Sequence, residues 1–334
     1  MKKVALLLVL FFAFNRGYSQ KIHSNMEIIK IMADSKLVYD IKMLDKPIKV
    51  KDNSDKLNYH DCYRVVSDSD LTTNQYNVNE LAKPLFDKAE SFFKFQKPDS
   101  ALFYYKSALD ADSSLYFIMT YIGQIYEKRG ESDNSIYWYK KSISKNYIDY
   151  MAHWFLADNL MEKNDLKNAV DEIIIARILN RNNPRIIESM ENIFKKAKKN
   201  SMDWYFNPQM EIIKTSEKKI SIAMNQKWTS YAMAKALWMF EPGYRDSMGV
   251  STGQYSTLED RECLIALLEG IENAKINIKN EPQFSILKEA ALNGHLDSYI
   301  LYEIVLPQTP FVAFQLPEKT ILEIKDYILN VRNK

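Results

Sequence analysis

A small residue, an aromatic four positions on and a second small residue three beyond it recur along this chain every 34 residues. The copies are Ala101, Tyr105 and Ala108, then Ser135, Tyr139 and Ser142, then Ala169, Ile173 and Ala176, with an aliphatic residue replacing the aromatic in the last. A second figure precedes each copy: Ala89 with Phe92, Gly123 with Tyr126, and Ala157 with Leu160. Spacings of three and four residues put each set on one helical face, where small residues let two helices approach closely and the large one fills the seam. A single hairpin of this kind leaves an apolar face uncovered, so the copies must stack as a helical solenoid. Punctuation agrees. Eight Gly and ten Pro in 334 residues, about 5% where roughly 12% is usual, favour long uninterrupted helices and argue against a large all-β domain.

The register resembles that of the tetratricopeptide repeat (TPR) family, which has large residues at repeat positions 4, 7 and 11, small ones at 8, 20 and 27, and an aromatic at 24. With position 1 at Ala82, Tyr116 and Tyr150, position 8 is Ala89, Gly123 and Ala157. The departures are Lys88 at position 7, His153 at position 4, and Ser113, Tyr147 and Arg181 at position 32, where the family usually has Pro. The resemblance implies three repeats at 82–115, 116–149 and 150–183. A capping helix comes next over 184–199, opened by Pro184, with Ile187, Met190 and Phe194 as its buried stripe and a lysine-rich end. Glu191 at position 8 ends the array, being too large and charged for another close contact.

In the family, the first helix of each repeat lines a concave groove. Carried over by position, Phe86, Phe93, Phe117, Met151, Trp154 and Met161 form an apolar floor, and Lys83, Lys94 and Lys128 are among the charges that rim it. Aromatics with a polar rim are the anatomy of a peptide- or protein-binding groove. The positions that grip a C-terminal carboxylate in one subtype hold Phe86, Glu90, Tyr121, Met151 and Phe155 here, so that clamp is missing.

The flanks read differently. Met1–Gln20 has a basic start at Lys2 and Lys3, eleven apolar residues from Val4 to Phe14, and Gly17-Tyr18-Ser19 as a small-x-small cleavage pattern. It is read as a signal peptide, which places the product in a bacterial periplasm or outside the cell. Eleven helical residues rise about 16 Å, half a hydrocarbon core, so no stable membrane span is expected. Without this segment the chain carries 42 basic and 43 acidic residues, a balance that gives no footprint for nucleic acid. Residues 21–81 are read as a helix over Met26–Ile41 and a partly ordered connection. Residues 200–334 are read as a helical domain with room for one hairpin, Met210–Lys214 against Lys219–Ala223, and helices at Trp228–Phe240, Leu258–Ala274, Pro282–Asn293, Leu296–Val305 and Pro317–Val331. The fold class is therefore mainly all-α. Whether Cys62 and Cys263 pair is left open by the sequence.

Signs of chemistry are sparse. His60-x-Cys62 has no second pair at zinc-ligand spacing, and Gly249-Val-Ser-Thr-Gly253 is too short for a phosphate loop. Glu241-Pro-Gly-Tyr-Arg245 reads first as a helix stop with a local ion pair, and Glu259, Asp260 and Glu262 as acids at a helix start. No catalytic residue, metal or cofactor is assigned. The expected function is a non-catalytic exported scaffold that binds a peptide or partner protein through its groove. Two alternatives remain at this stage: an enzyme of unknown class in the C-terminal domain with the repeats as a docking arm, and a structural protein whose own flanks fill the groove.

Overall fold

The computed structural model describes residues 22–54, 62–67, 71–202, 204–251 and 256–334. The signal-peptide reading, His60 and Gly253 lie outside the described residues. Helix α1 (Asn25–Asp34) and strands β1 (Val38–Met43), β2 (Cys62–Val66) and β3 (Leu71–Gln75) precede seven consecutive helices: α2 (Ala82–Lys94), α3 (Pro98–Ala111), α4 (Phe117–Lys128), α5 (Ser132–Lys145), α6 (Tyr150–Glu162), α7 (Leu166–Leu179) and α8 (Pro184–Lys196). Then come β4 (Met210–Ser216), β5 (Lys219–Met224), α9 (Thr229–Phe240), α10 (Tyr244–Ser247), α11 (Thr257–Asn273), α12 (Pro282–Leu292), α13 (Leu296–Tyr299), α14 (Leu306–Gln308) and α15 (Glu318–Tyr327). Ile300–Val305 and Ile328–Arg332 are π-helical.

The chain forms two compact units, and neither is continuous in sequence. One joins the segment ending at Lys51 to Trp204–Ile300, and the other joins Asp52–Asp203 to Leu301–Lys334. The expected break near residue 200 exists, but the division into 21–81, 82–199 and 200–334 is corrected at both ends. The first segment completes a sheet with β5, and the last 34 residues fold onto the repeats.

In the first unit, β4 and β5 form the expected hairpin, with Ile212 opposite Ile222. Strand β1 adds in parallel on the other side of β5, from Val38 beside Lys219 to Met43 beside Met224. The helix expected over Met26–Ile41 therefore stops at Asp34. Ser24 and Glu27 start it with a reciprocal capping box, and the segment after it is strand because β5 offers it a ladder. Glu262 is wholly buried rather than merely near a helix start. It accepts from the His23 backbone N–H at 2.8 Å, from Trp238 Nε1 at 2.6 Å and from the Tyr244 hydroxyl at 2.8 Å, while His23 Nδ1 lies 3.0 Å away. Such bonds offset the desolvation of a buried carboxylate. The local Glu241–Arg245 pair is also corrected. Glu241 accepts from Ser35 Oγ (2.6 Å) and Tyr39 Oη (2.7 Å), and Arg245 pairs with Glu259 at 2.8 Å.

In the second unit, α2/α3, α4/α5 and α6/α7 are the three expected hairpins, and α8 caps them. Ala89, Ala101, Ala108, Ala157, Ala169 and Ala176 are fully buried, as are Tyr105, Tyr139 and Ile173. The capping stripe is shifted by a residue: Ile186, Met190, Ile193 and Phe194 are buried, while Ile187 is half-buried. The polar stretch 52–77, read as aperiodic, contains the antiparallel hairpin β2/β3, with Arg64 opposite Thr73. Cys62 and Cys263 are both buried, with no disulfide between them.

Departures from the repeat pattern have partners. His153 Nδ1 lies 2.5 Å from Glu172 Oε2 and its Nε2 is 2.9 Å from the Tyr147 carbonyl. Arg181 is buried, donates to the Tyr302 carbonyl at 3.2 Å and pairs with Glu303 at 3.4 Å. Glu303, displayed by the π-helical turn, also receives Arg332 Nε at 2.7 Å and the Tyr327 hydroxyl at 3.0 Å. This buried Arg-Glu-Arg cluster ties the end of the chain to the third repeat.

A Cβ on Gly123 would stand 2.4 Å from Tyr139 Cε1, and Tyr139 is fully buried with its hydroxyl held by Glu127. Gly123→Ala is therefore expected to cost about 1–3 kcal/mol through overpacking, despite the roughly 1 kcal/mol helix-propensity gain of Ala over Gly. Urea unfolding should show a lower midpoint at unchanged slope, and an equal or higher midpoint would mean that the seam has slack.

Candidate functional site

Helices α2, α4 and α6 carry the residues expected to form the floor, and these fall into a closed end covered by the chain itself and an open end beside a cavity. At the closed end, Phe86 packs edge-on against Phe117, their ring centroids 5.4 Å apart, and lies near Tyr121 and Tyr105. The repeat register puts Phe117 on an exposed floor. It is buried instead, because Tyr76, just past β3, meets its ring at 4.8 Å. Tyr63 of β2 backs Tyr76 at 4.9 Å. Asn146, which caps the end of α5, fixes this plug. Its side-chain amide donates to the Cys62 carbonyl (2.9 Å) and the Tyr76 hydroxyl (3.3 Å) and accepts from the Arg64 backbone N–H (3.2 Å). On the other side of the hairpin, Thr73 Oγ1 and Arg64 Nη2 both donate to the Phe314 carbonyl. Burial pushes the Arg64 guanidinium down to about 10.

The open end centres on Phe93, which is half-buried, with Lys128 Nζ 4.0 Å from its ring centroid. Beside them lies a cavity of about 350 Å³ lined by Phe93, Gln96, Pro98 and Lys128. Gln96 turns the chain from α2 to α3 with φ +56°, a left-handed conformation uncommon for a residue with a Cβ. Met151, Trp154 and Met161 are half-buried on α6, with Trp154 stacked on Phe155 at 4.9 Å. Lys83 is exposed and paired with Asp87 at 2.9 Å, and Lys94 is exposed at the end of α2.

The acids that the repeat register also turns toward the groove are held by buried hydroxyls. The buried Tyr105 hydroxyl donates to Glu90, and that of Tyr139 to Glu127 at 2.5 Å. Burial and these carboxylates hold both phenols well above their ordinary range. Asp158 accepts from Ser189 Oγ at 2.5 Å. Burial, with Glu127 and Glu162 nearby, raises its carboxyl to about 6. The signal for them was present in the register: acids at repeat positions 9 and 12 of the first helices, across from tyrosine at 24 of the second. Among the described residues, no group of three or more His, Cys, Asp and Glu is placed to hold a metal ion, and no helix is long and apolar enough to cross a membrane.

Stacked hairpins at a 34-residue period with small residues in every seam make residues 82–199 a TPR-like array. No protein-family profile and no curated protein matches the chain. Solved structures that match include the first TPR of Spaghetti (RPAP3) bound to the HSP90 peptide SRMEEVD, at 18% identity over 36% of this chain and 97% of that one, TM-score 0.35. The Yersinia enterocolitica type III secretion chaperone SycD in complex with a peptide of the translocator YopD matches at 18% over 36% and 96%, TM-score 0.33. MamA matches at 14% over 71% and 94%, TM-score 0.25.

The raised Asp158 carboxyl makes stability pH-dependent. The folded state binds this proton more tightly than the unfolded chain, so the contribution is fully present below the ordinary value of 3.8 and is lost as pH rises through about 6. Asp158→Asn should match the wild type near pH 4 and exceed it by on the order of 1–2 kcal/mol at pH 7.5. Chemical denaturation across that range checks this, and a pH-independent difference would assign the titration to another group.

Proposed function

We propose that this protein is an exported, non-catalytic TPR scaffold that binds a peptide or a segment of a partner protein at the open end of its concave groove, in a bacterial periplasm or outside the cell. The observation that carries the reading is the cavity beside Phe93 and Lys128. There an aromatic ring lies half-exposed under a cation, next to a turn held in an unfavourable backbone conformation. The ring supplies apolar contact area, the ammonium selects for a nearby carboxylate or carbonyl, and Glu127 and Asp158 supply acceptors toward α6. The Tyr76 plug supports a narrower site than six floor residues would give: Phe86 and Phe117 belong to the chain's own packing, and Phe93, Trp154 and Met161 are left for a ligand.

The same plug favours a second reading, in which the whole groove is a structural seat for flanking segments. The two part in one experiment. The chain from residue 21 and its Phe93→Ala/Trp154→Ala variant, with folding checked by circular dichroism, are used to capture partners from envelope extract. Binding to the purified partner should weaken by about 2–4 kcal/mol in the variant, the usual range for two aromatic anchors. Identical capture by both proteins would reject the groove as the binding site. The mass of the mature chain from the envelope fraction reads the export claim in the same preparation, with a start at Gln20 or Lys21 expected.

A further inference from the structure

The second helices of the repeats change character along the array. At repeat position 22 the residues are Phe103, Tyr137 and Asp171, and at position 23 they are Tyr104, Trp138 and Glu172. At position 25 they are Lys106, Lys140 and Ile174. The third repeat is thus acidic and aliphatic where the first two are aromatic and basic.

The third repeat's version is already occupied. Helix α15 packs on α7 with Ile321, Ile324 and Tyr327 buried, and Lys325 pairs with Asp171 at 3.1 Å. The first two repeats keep the same positions exposed, Phe103 at 65% and Tyr137 at 58%. Both present one geometry: Phe103 meets Tyr104 edge-on at 5.2 Å and 81°, and Tyr137 meets Trp138 at 5.7 Å and 85°. Lysines flank these rings, with Lys141 Nζ 4.6 Å from the Trp138 centroid and Lys106 Nζ 6.0 Å from it. The acids at the starts of α3 and α5 do not offset these lysines, because Asp99 is paired with Arg129 and Asp133 with Lys163 of the following repeat. What remains outward is a two-step aromatic ladder beside Lys106, Lys140 and Lys141, with Asp110 one turn beyond Lys106 as the remaining acid on α3.

We propose that this outer face of the first two repeats is a second docking surface, separate from the groove, and that its occupant is an acidic amphipathic helix of a partner protein. The face extends the seat that α15 occupies on α7, so a helix lying along it continues a packing mode the array already uses, with the charges reversed to match. Apolar side chains on one face of that helix cover the Phe103 and Tyr137 edges, and Glu or Asp beside them reaches the lysines. Exposed aromatics rimmed by charge mark interaction sites.

The test uses the full chain and a blocked 18-residue amphipathic peptide with Leu on one face and Glu on the other, beside a counterpart carrying Lys for Glu, both read by fluorescence anisotropy. The acidic peptide should bind at least about tenfold more tightly than the basic one, with affinity falling as salt rises. Phe103→Ala/Tyr137→Ala and Lys106→Glu/Lys141→Glu should each weaken it by about tenfold or more, circular dichroism remaining unchanged. Equal affinity for both peptides, or no loss in either variant, overturns the proposal. So does binding of polygalacturonate in place of the acidic peptide, or self-association by sedimentation that Phe103→Ala/Tyr137→Ala abolishes, since those would make the occupant an acidic polysaccharide or a second copy of the chain.

Discussion

Close approach of helices governs the second unit, and the chemistry of its groove is a consequence. Small residues at positions 8, 20 and 27 leave a seam that Tyr105 and Tyr139 fill completely. A tyrosine driven that deep carries a hydroxyl that must find an acceptor or cost the molecule a few kcal/mol. Here the hydroxyls emerge toward the first helices and end on Glu90 and Glu127. The acids lining the groove are thereby partly a by-product of how the repeats stack. In the third repeat Ile173 has no hydroxyl, and Asp158 takes its bond from Ser189 of the capping helix instead.

The same economy explains where the repeats break their own pattern. A proline at position 32 would have been inert, whereas Arg181 reaches Glu303 from the far end of the chain. The cluster closes with Arg332 and Tyr327, and the π-helical turn at Ile300–Val305 displays the carboxylate between them. Removing one partner from such a buried set leaves an uncompensated charge, so its members are constrained together. His153 plays a smaller version of this role, joining Glu172 to the Tyr147 carbonyl.

Helix positions within the repeats were legible because period and register repeat three times, and each copy constrains the others. The β4/β5 hairpin and most later helices were legible from local alternation and punctuation. What escaped was long-range. Val38–Met43 carries enough apolar residues at helical spacing to extend α1, and only a pairing with β5, far along the chain, makes it a strand. The β2/β3 hairpin is short, exposes Val65 and Val66 and buries Arg64, so nothing local announces Tyr76 as the residue that would cover Phe117. Of the floor residues the register assigns, Phe86 and Phe117 are therefore covered by the chain's own packing. Glu262 looked like one acid among three at a helix start, and only its surroundings, Trp238, Tyr244 and His23, distinguish it.

The interleaving of the two units sets a schedule for the chain's synthesis. Val38 cannot meet its partner Lys219 until about 180 further residues have been made, which at 5–20 residues per second is on the order of 10–40 s. The repeats, whose contacts are mostly between neighbouring helices, can assemble within that interval. The first strand meanwhile waits with an unpaired edge, and the third repeat waits for α15. A chain stopped near residue 200 would leave a nearly complete solenoid attached to an orphan strand, a species with exposed backbone and a bare aliphatic helix face.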